Sequence, residues 1–110
     1  MQPQVMPQAL LCAYAVHILR RLRFEWDAEK RRRNFQKHRV EFADAVTAFD
    51  DDHAITVPDE ESAGEARFVT LAADAEGRVL VVVYTWRGET LRVISARKAT
   101  MRERKQYEDR

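Results

Sequence analysis

The sequence predicts a small α+β domain, with helices near the start, an antiparallel sheet through the middle and a helix at the end. Three observations carry this. Val79-Leu80-Val81-Val82-Val83 is apolar at every position, as a central strand covered on both faces is. Two glycine-bearing turns, Asp74–Gly77 and Arg87-Gly88, divide three alternating runs and read as hairpin connections. Polar, capped stretches flank those runs, and a chain of 110 residues holds one core rather than two.

Taken in order, Leu10, Tyr14, Ile18 and Leu22 recur at every fourth position and make one apolar helical stripe. Ala9 to Leu19 is too short to span a bilayer and lacks the basic flank and cleavage site of a signal peptide. Residues 1–22 are expected to be an extension and residues 23–110 the domain, a division that follows from the resemblance given below. Arg23-Phe24-Glu25-Trp26 alternates as a first strand. Asp27 offers an N-cap for a charged helix over Ala28 to His38. A second helix is expected from Phe42 to Phe49, with Phe42, Ala45, Val46 and Phe49 on one face. Four strands follow, over Ala54–Val57, Arg67–Ala73, Arg78–Tyr84 and Thr90–Arg97. Thr100-Met101-Arg102-Glu103 is a capping box that starts the last helix.

These turns predict a register. A four-residue loop at 74–77 pairs Ala73 with Arg78 and Arg67 with Tyr84. A two-residue turn at Arg87-Gly88 pairs Tyr84 with Leu91 and Arg78 with Arg97. One face is then expected to carry Val69, Leu71, Leu80, Val82, Leu91, Val93 and Ser95. Arg67 beside Tyr84 forms one pole of that face, and Arg78 beside Arg97 the other. Two facing arginines repel unless an anion lies between them, so the second pole points to a phosphate.

Composition narrows the function classes. The formal charge is only +1, but it is segregated along the chain. Residues 20–39 are rich in Arg and Lys, while residues 41–61 hold acids and neither Lys nor Arg. A balanced chain can thus carry a local basic surface. The single Cys12 excludes an intrachain disulfide framework. His17, His38 and His53 lie far apart, with no metal-ligand spacing, and Asp50-Asp51-Asp52-His53 reads as a solvated turn rather than a cation site.

The blocks "FEWDAEKRRRNFQKHRVEF", "AFDDD", "GEARFVTL" and "GRVLVVVYTWRGETLRVISARKATMRERKQYE" resemble, in that order, the BrnT toxins of bacterial type II toxin–antitoxin systems. The resemblance covers roughly residues 24–108 and leaves out the N-terminal extension. It implies a RelE-like fold and a cytoplasmic, metal-independent endoribonuclease without a cofactor that inhibits translation. It also implies a BrnA-type antitoxin partner, a ribbon-helix-helix protein, in a heterotetramer that reaches operator DNA only through the antitoxin. One departure is His38-Arg39, where the family commonly has His-Gly. The glycine suits a left-handed helix end, which Arg39 occupies only at a cost of about 1 kcal/mol.

Metal-free RNA cleavage needs a base for the 2′-hydroxyl, an acid for the leaving oxygen and cations on the phosphate. The candidates for catalysis are Arg67, Arg97, Tyr84 and His38. Lys37, Arg78, Arg87 and Lys98 are candidates for RNA contact. Each has a plainer reading: Arg67 can pair with Glu65 or Glu89, Tyr84 can be a core aromatic, and His38 can simply favour a helix C-terminus. The rival function is a non-catalytic module that binds nucleic acid or antitoxin. Deleting residues 1–22 is expected to leave solubility and melting temperature unchanged, as thermal unfolding of the truncated chain would show.

Overall fold

The computed structural model describes residues 22–60 and 64–109. The extension expected over residues 1–22 lies outside them except for Leu22. The elements run β1 (Arg23–Trp26), α1 (Ala28–His38), α2 (Phe42–Ala45), a 3-10 turn (Val46–Asp50), β2 (Ile55–Pro58), β3 (Phe68–Ala73), β4 (Val79–Arg87), β5 (Thr90–Lys98) and α3 (Met101–Glu108). The sheet order is β1-β5-β4-β3-β2, antiparallel throughout except that β1 runs parallel to β5. The α+β class expected from sequence is the class observed.

The local signals act as their chemistry predicts. The Asp27 carboxylate accepts the Lys30 amide at 3.0 Å and starts α1. Thr100 and Glu103 cap each other reciprocally at the start of α3. The second helix differs from its expectation: only Phe42–Ala45 is α-helical, and the 3-10 turn carries the chain on. Phe42, Ala45 and Ala48 are still fully buried, so the apolar face survives the change of pitch.

The sheet has two unequal faces. On the inner face, Leu80, Val82 and Tyr84 of β4 meet Leu91, Val93 and Ala96 of β5 beneath Val40, Phe42 and Ala45. Phe24, Trp26 and Phe49 close this core, with the Phe49 ring edge-on to Tyr84 at 4.9 Å. The outer face is a smaller cluster of Leu71, Val79 and Val81, against which Tyr107 of α3 and Ile55 and Val69 of the sheet pack.

The register departs from the expected one in two places. Ala73 lies opposite Val79, so Phe68 rather than Arg67 faces Tyr84. Arg87 pairs with Thr90, so the β4–β5 turn is Gly88-Glu89 and Tyr84 faces Val93 rather than Leu91. A bulge follows. Val83 pairs with Ser95 while Tyr84 pairs with Val93, which leaves Ile94 as the extra residue. One inserted residue reverses every later side chain. Ala96 therefore enters the inner core, while Ser95 and Arg97 turn to the outer face beside Val83 and Val81. Arg97 and Arg78 do not face each other, and neither do Arg67 and Tyr84. The one-residue shift at the β3–β4 turn separates Arg67 from Tyr84, and the shifted β4–β5 turn with its bulge separates Arg78 from Arg97.

Arg39 closes α1 in the left-handed region (φ 59°, ψ 32°), as the departure from His-Gly predicted. Its amide donates to the Phe35 carbonyl at 2.8 Å, and its guanidinium lies 5.5 Å over the Phe35 ring. Arg39→Gly is expected to be neutral or stabilising by up to about 1 kcal/mol, the relief of strain being partly offset by the lost ring contact. Asn34→Ala is expected to destabilise by about 1–3 kcal/mol, because it strips partners from buried backbone groups described below. Urea unfolding should show a lowered midpoint for Asn34→Ala and an unchanged or raised one for Arg39→Gly.

Candidate active site

Residues four apart on a helix share a face, and on α1 the pair Asn34 and His38 points toward the end of β5. Asn34 is buried, and its side-chain amide acts as a substitute strand. Nδ2 donates to the Ala96 carbonyl at 2.7 Å and to the Val40 carbonyl at 3.2 Å, while Oδ1 accepts the Ala96 amide at 3.1 Å. β1 pairs with β5 only as far as Trp26 against Val93, so Ala96 has no strand beside it on that edge. The amide supplies both missing hydrogen bonds and fixes the last turn of α1 against the tip of β5.

His38 is thereby brought within electrostatic range of Arg97. Its imidazole is half-buried, and its pKa is lowered below the ordinary 6.5, first by burial and then by the positive charges of Lys37 and Arg97. Lys37, Arg39 and Lys98 are exposed around this junction. Many of the other arginines are held by carboxylates: Arg31 by Glu41, Arg32 and Arg33 by Glu29, Arg92 by Glu25, and Arg104 by Glu108.

Arg97 is itself oriented from the other side. Nη1 and Nη2 donate to the two oxygens of Glu103 at 2.8 and 2.9 Å. Glu103 also accepts the Thr100 amide at 2.8 Å. The hydrogen bonds from Arg97 hold the Glu103 carboxyl down at about 2, and Glu103 in turn raises the pKa of Arg97. Sequence reasoning saw Glu103 only as a capping-box residue and passed over Asn34. A carboxylate three residues past a strand-terminal arginine's helix cap was the available signal for Glu103. Nothing local marked Asn34, whose partners lie up to 62 positions away.

The other candidates are placed elsewhere. Tyr84 is buried, its hydroxyl 2.9 Å from Thr70 Oγ1, and burial raises its pKa. Arg78 is enclosed by acids, with Asp74 at 2.8 Å, Glu76 at 3.1 Å and Asp44 at 3.9 Å. Arg87 is exposed at the hairpin end, 3.8 Å from Glu65. Arg67 sits just before β3 on the outer face, its Nε buried without a hydrogen-bond partner among the described residues. Arg67 is level with Thr85 and Arg97 with Val81, so roughly 13 Å along the sheet and two strands across separate them. One phosphate does not span that distance.

The Asp50–His53 run forms the turn that the sequence suggested. Asp51 accepts the Ala73 amide at 2.8 Å, the Tyr107 hydroxyl at 2.5 Å and the His53 amide at 3.0 Å. Among the described residues no group of three or more His, Cys, Asp or Glu side chains is arranged to hold a metal ion. Nor is any helix among them long and apolar enough to cross a membrane.

Residues 26–103 match the family model described as the ribonuclease toxin BrnT of type II toxin–antitoxin systems. Among solved structures, the chain is similar to the 1.1 Å crystal structure of the Brucella abortus ribonuclease toxin BrnT. That match has a TM-score of 0.59 and 25% identity, and it covers 73% of this chain and 99% of the other. No curated protein matches.

The Arg97–Glu103 pair makes a prediction about acid stability. The folded pKa of Glu103 is about 2, below its ordinary 4.5. Its contribution to stability is therefore complete above about pH 4.5 and is lost as the pH falls toward 2. Glu103→Gln should be less stable than the parent at pH 7 and lose less of its remaining stability between those limits. Melting temperatures measured across pH 2–7 check this.

Proposed function

The chain belongs to the BrnT family of ribonuclease toxins of type II toxin–antitoxin systems, and we propose that it cuts RNA where the last turn of α1 meets the tip of β5. The observation that carries this placement is the juxtaposition of His38, with its lowered pKa, and Arg97 on a surface that also exposes Lys37, Arg39 and Lys98. A neutral imidazole accepts the 2′-hydroxyl proton. The 2′-oxygen then bonds to the adjacent phosphorus, the bond from phosphorus to the 5′-oxygen breaks, and the 5′-oxygen takes a proton from the imidazolium or from solvent. Arg97 supplies planar, permanently charged donors to the phosphoryl oxygens while charge builds on them. This chemistry calls for no metal.

In this reading Tyr84 and Arg78 serve the fold, and Arg67 and Arg87 at the other end of the sheet contact flanking RNA. Loss of RNA stops translation in the cytoplasm until the antitoxin binds. The resemblance in the sequence supports an antitoxin of the BrnA type, with a ribbon-helix-helix DNA-binding fold, in a heterotetramer that touches operator DNA only through it. A second reading, a module that grips RNA without cutting, is favoured by one observation: Glu103 occupies both terminal nitrogens of Arg97.

Mapping of RNA 5′ ends after induced expression, with and without the antitoxin, separates cutting from gripping. His38→Ala and Arg97→Ala should each lower cleavage by about 10²-fold while the protein still unfolds cooperatively. Tyr84→Phe and Arg78→Ala should cleave like the parent per folded molecule. The acid limb of the cleavage rate should lie below pH 6.5, because the imidazole gives up its proton more readily than usual. A chain that loses activity in Tyr84→Phe but keeps it in His38→Ala has its chemistry at the hairpin end instead.

A further inference from the structure

The outer face of the sheet is only partly covered. α3 lies over Leu71, Val79 and Val81 through Ala99 and Tyr107, and beside it a trough of about 430 Å³ remains open. Ile55, Val57, Val69, Leu71 and Val81 floor it, and Glu103 stands on its α3 wall. Val57 is 50% exposed, unusual for a valine within a strand.

Three features describe what fits there. The chain on either side of β2 is acidic: Asp50–Asp52 come before the strand and Asp59 and Glu60 after it, with no Lys or Arg from 50 to 60. An occupant must therefore be apolar on one side and cationic at its margins. The outer edge of β2 is a poor template for another strand. The Asp59 amide donates inward to the Arg67 carbonyl at 2.8 Å, so by alternation Thr56 and Pro58 direct their backbone outward, and Pro58 has no N–H. The occupant accordingly lies on the face instead of extending the sheet. Finally, a second copy of this chain would bring the same acids against one another.

We propose that this trough is the docking site for a cationic, amphipathic segment of the antitoxin. The proposal rests on the toxin–antitoxin reading for the existence of that partner, but not on the placement of the ribonuclease site. Glu103 gives the docking a consequence, since it belongs both to the trough wall and to the clamp on Arg97. A cation of the partner that engages Glu103 reaches the Arg97 side chain from behind, on the face opposite the inner core.

The test uses the full chain and a purified BrnA-type antitoxin, with binding measured by titration calorimetry. Val57→Glu alters an exposed side chain and should leave cleavage of RNA by the free protein unchanged. It should weaken antitoxin binding by about tenfold or more, whereas Lys30→Glu, on the exposed side of α1, should not. Binding should also weaken as NaCl is raised from about 0.1 M to about 0.5 M, and the antitoxin should slow hydrogen exchange in β2, β3 and α3. Unchanged affinity in Val57→Glu overturns the proposal, as does failure of the native chain to bind the antitoxin. A trough already protected in the free chain and exposed by deleting residues 1–21 overturns it in favour of the chain's own N-terminus. A dimer of the free chain that Val57→Glu dissolves overturns it in favour of a second copy. If Val57→Glu loses the antitoxin but the native protein cleaves no RNA, the docking site stands and the ribonuclease placement fails.

Discussion

The pairing of the Asn34 side-chain amide with the backbone of Ala96 is the constraint on which the working end of this domain depends. β1 is four residues long and leaves the last part of β5 with an open edge. A strand edge left open near a core must find partners, because unpaired backbone groups there cost about 1–3 kcal/mol each. Asn34 meets both groups of Ala96 and adds the Val40 carbonyl. The same contact joins the end of a helix to the tip of a strand. Through it His38 comes within electrostatic range of Arg97, 59 positions further along the chain.

The β-bulge at Ile94 is the second half of that arrangement. Without it, strict alternation would send Arg97 into the inner core beside the aliphatic side chains of β4, where a guanidinium would have to shed its hydration. With it, Ala96 fills the core and Arg97 is delivered to the outer face, where Glu103 receives it. A small residue and a cation exchange sides through one unpaired residue. The bulge thus serves packing and chemistry at once.

Glu103 joins three functions in one carboxylate. It caps α3, it orients Arg97, and it walls the outer trough. α3 has few apolar contacts of its own, chiefly Ala99 leading into it and Tyr107 near its end, where the phenol also donates to Asp51. The helix is therefore held by polar contacts at both ends with a modest apolar seal between. Charge segregation along the chain acquires spatial meaning from this layout. Cations gather where α1 meets β5, while Asp50–Asp52, Asp59 and Glu60 flank β2, the edge strand at the other end of the sheet order.

Local chemistry by itself determined the elements of this protein. The Asp27 cap, the Thr100–Glu103 box, the all-apolar run of β4 and the left-handed Arg39 are each legible from neighbours within a few residues, and each is found where it was expected. The block order likewise placed the chain among BrnT toxins. Register was not legible, because a turn that shifts by one residue and a bulge that adds another leave the apolar pattern nearly intact while reversing which side chains face the core. Hence the expected poles, Arg67 with Tyr84 and Arg78 with Arg97, dissolved, and Tyr84 and Arg78 proved to be tied into a buried hydroxyl pair and an acidic enclosure. Tertiary structure alone decided that His38 lies within electrostatic range of Arg97, since the hydrogen bonds responsible cross most of the chain and belong to an asparagine that no local pattern singles out.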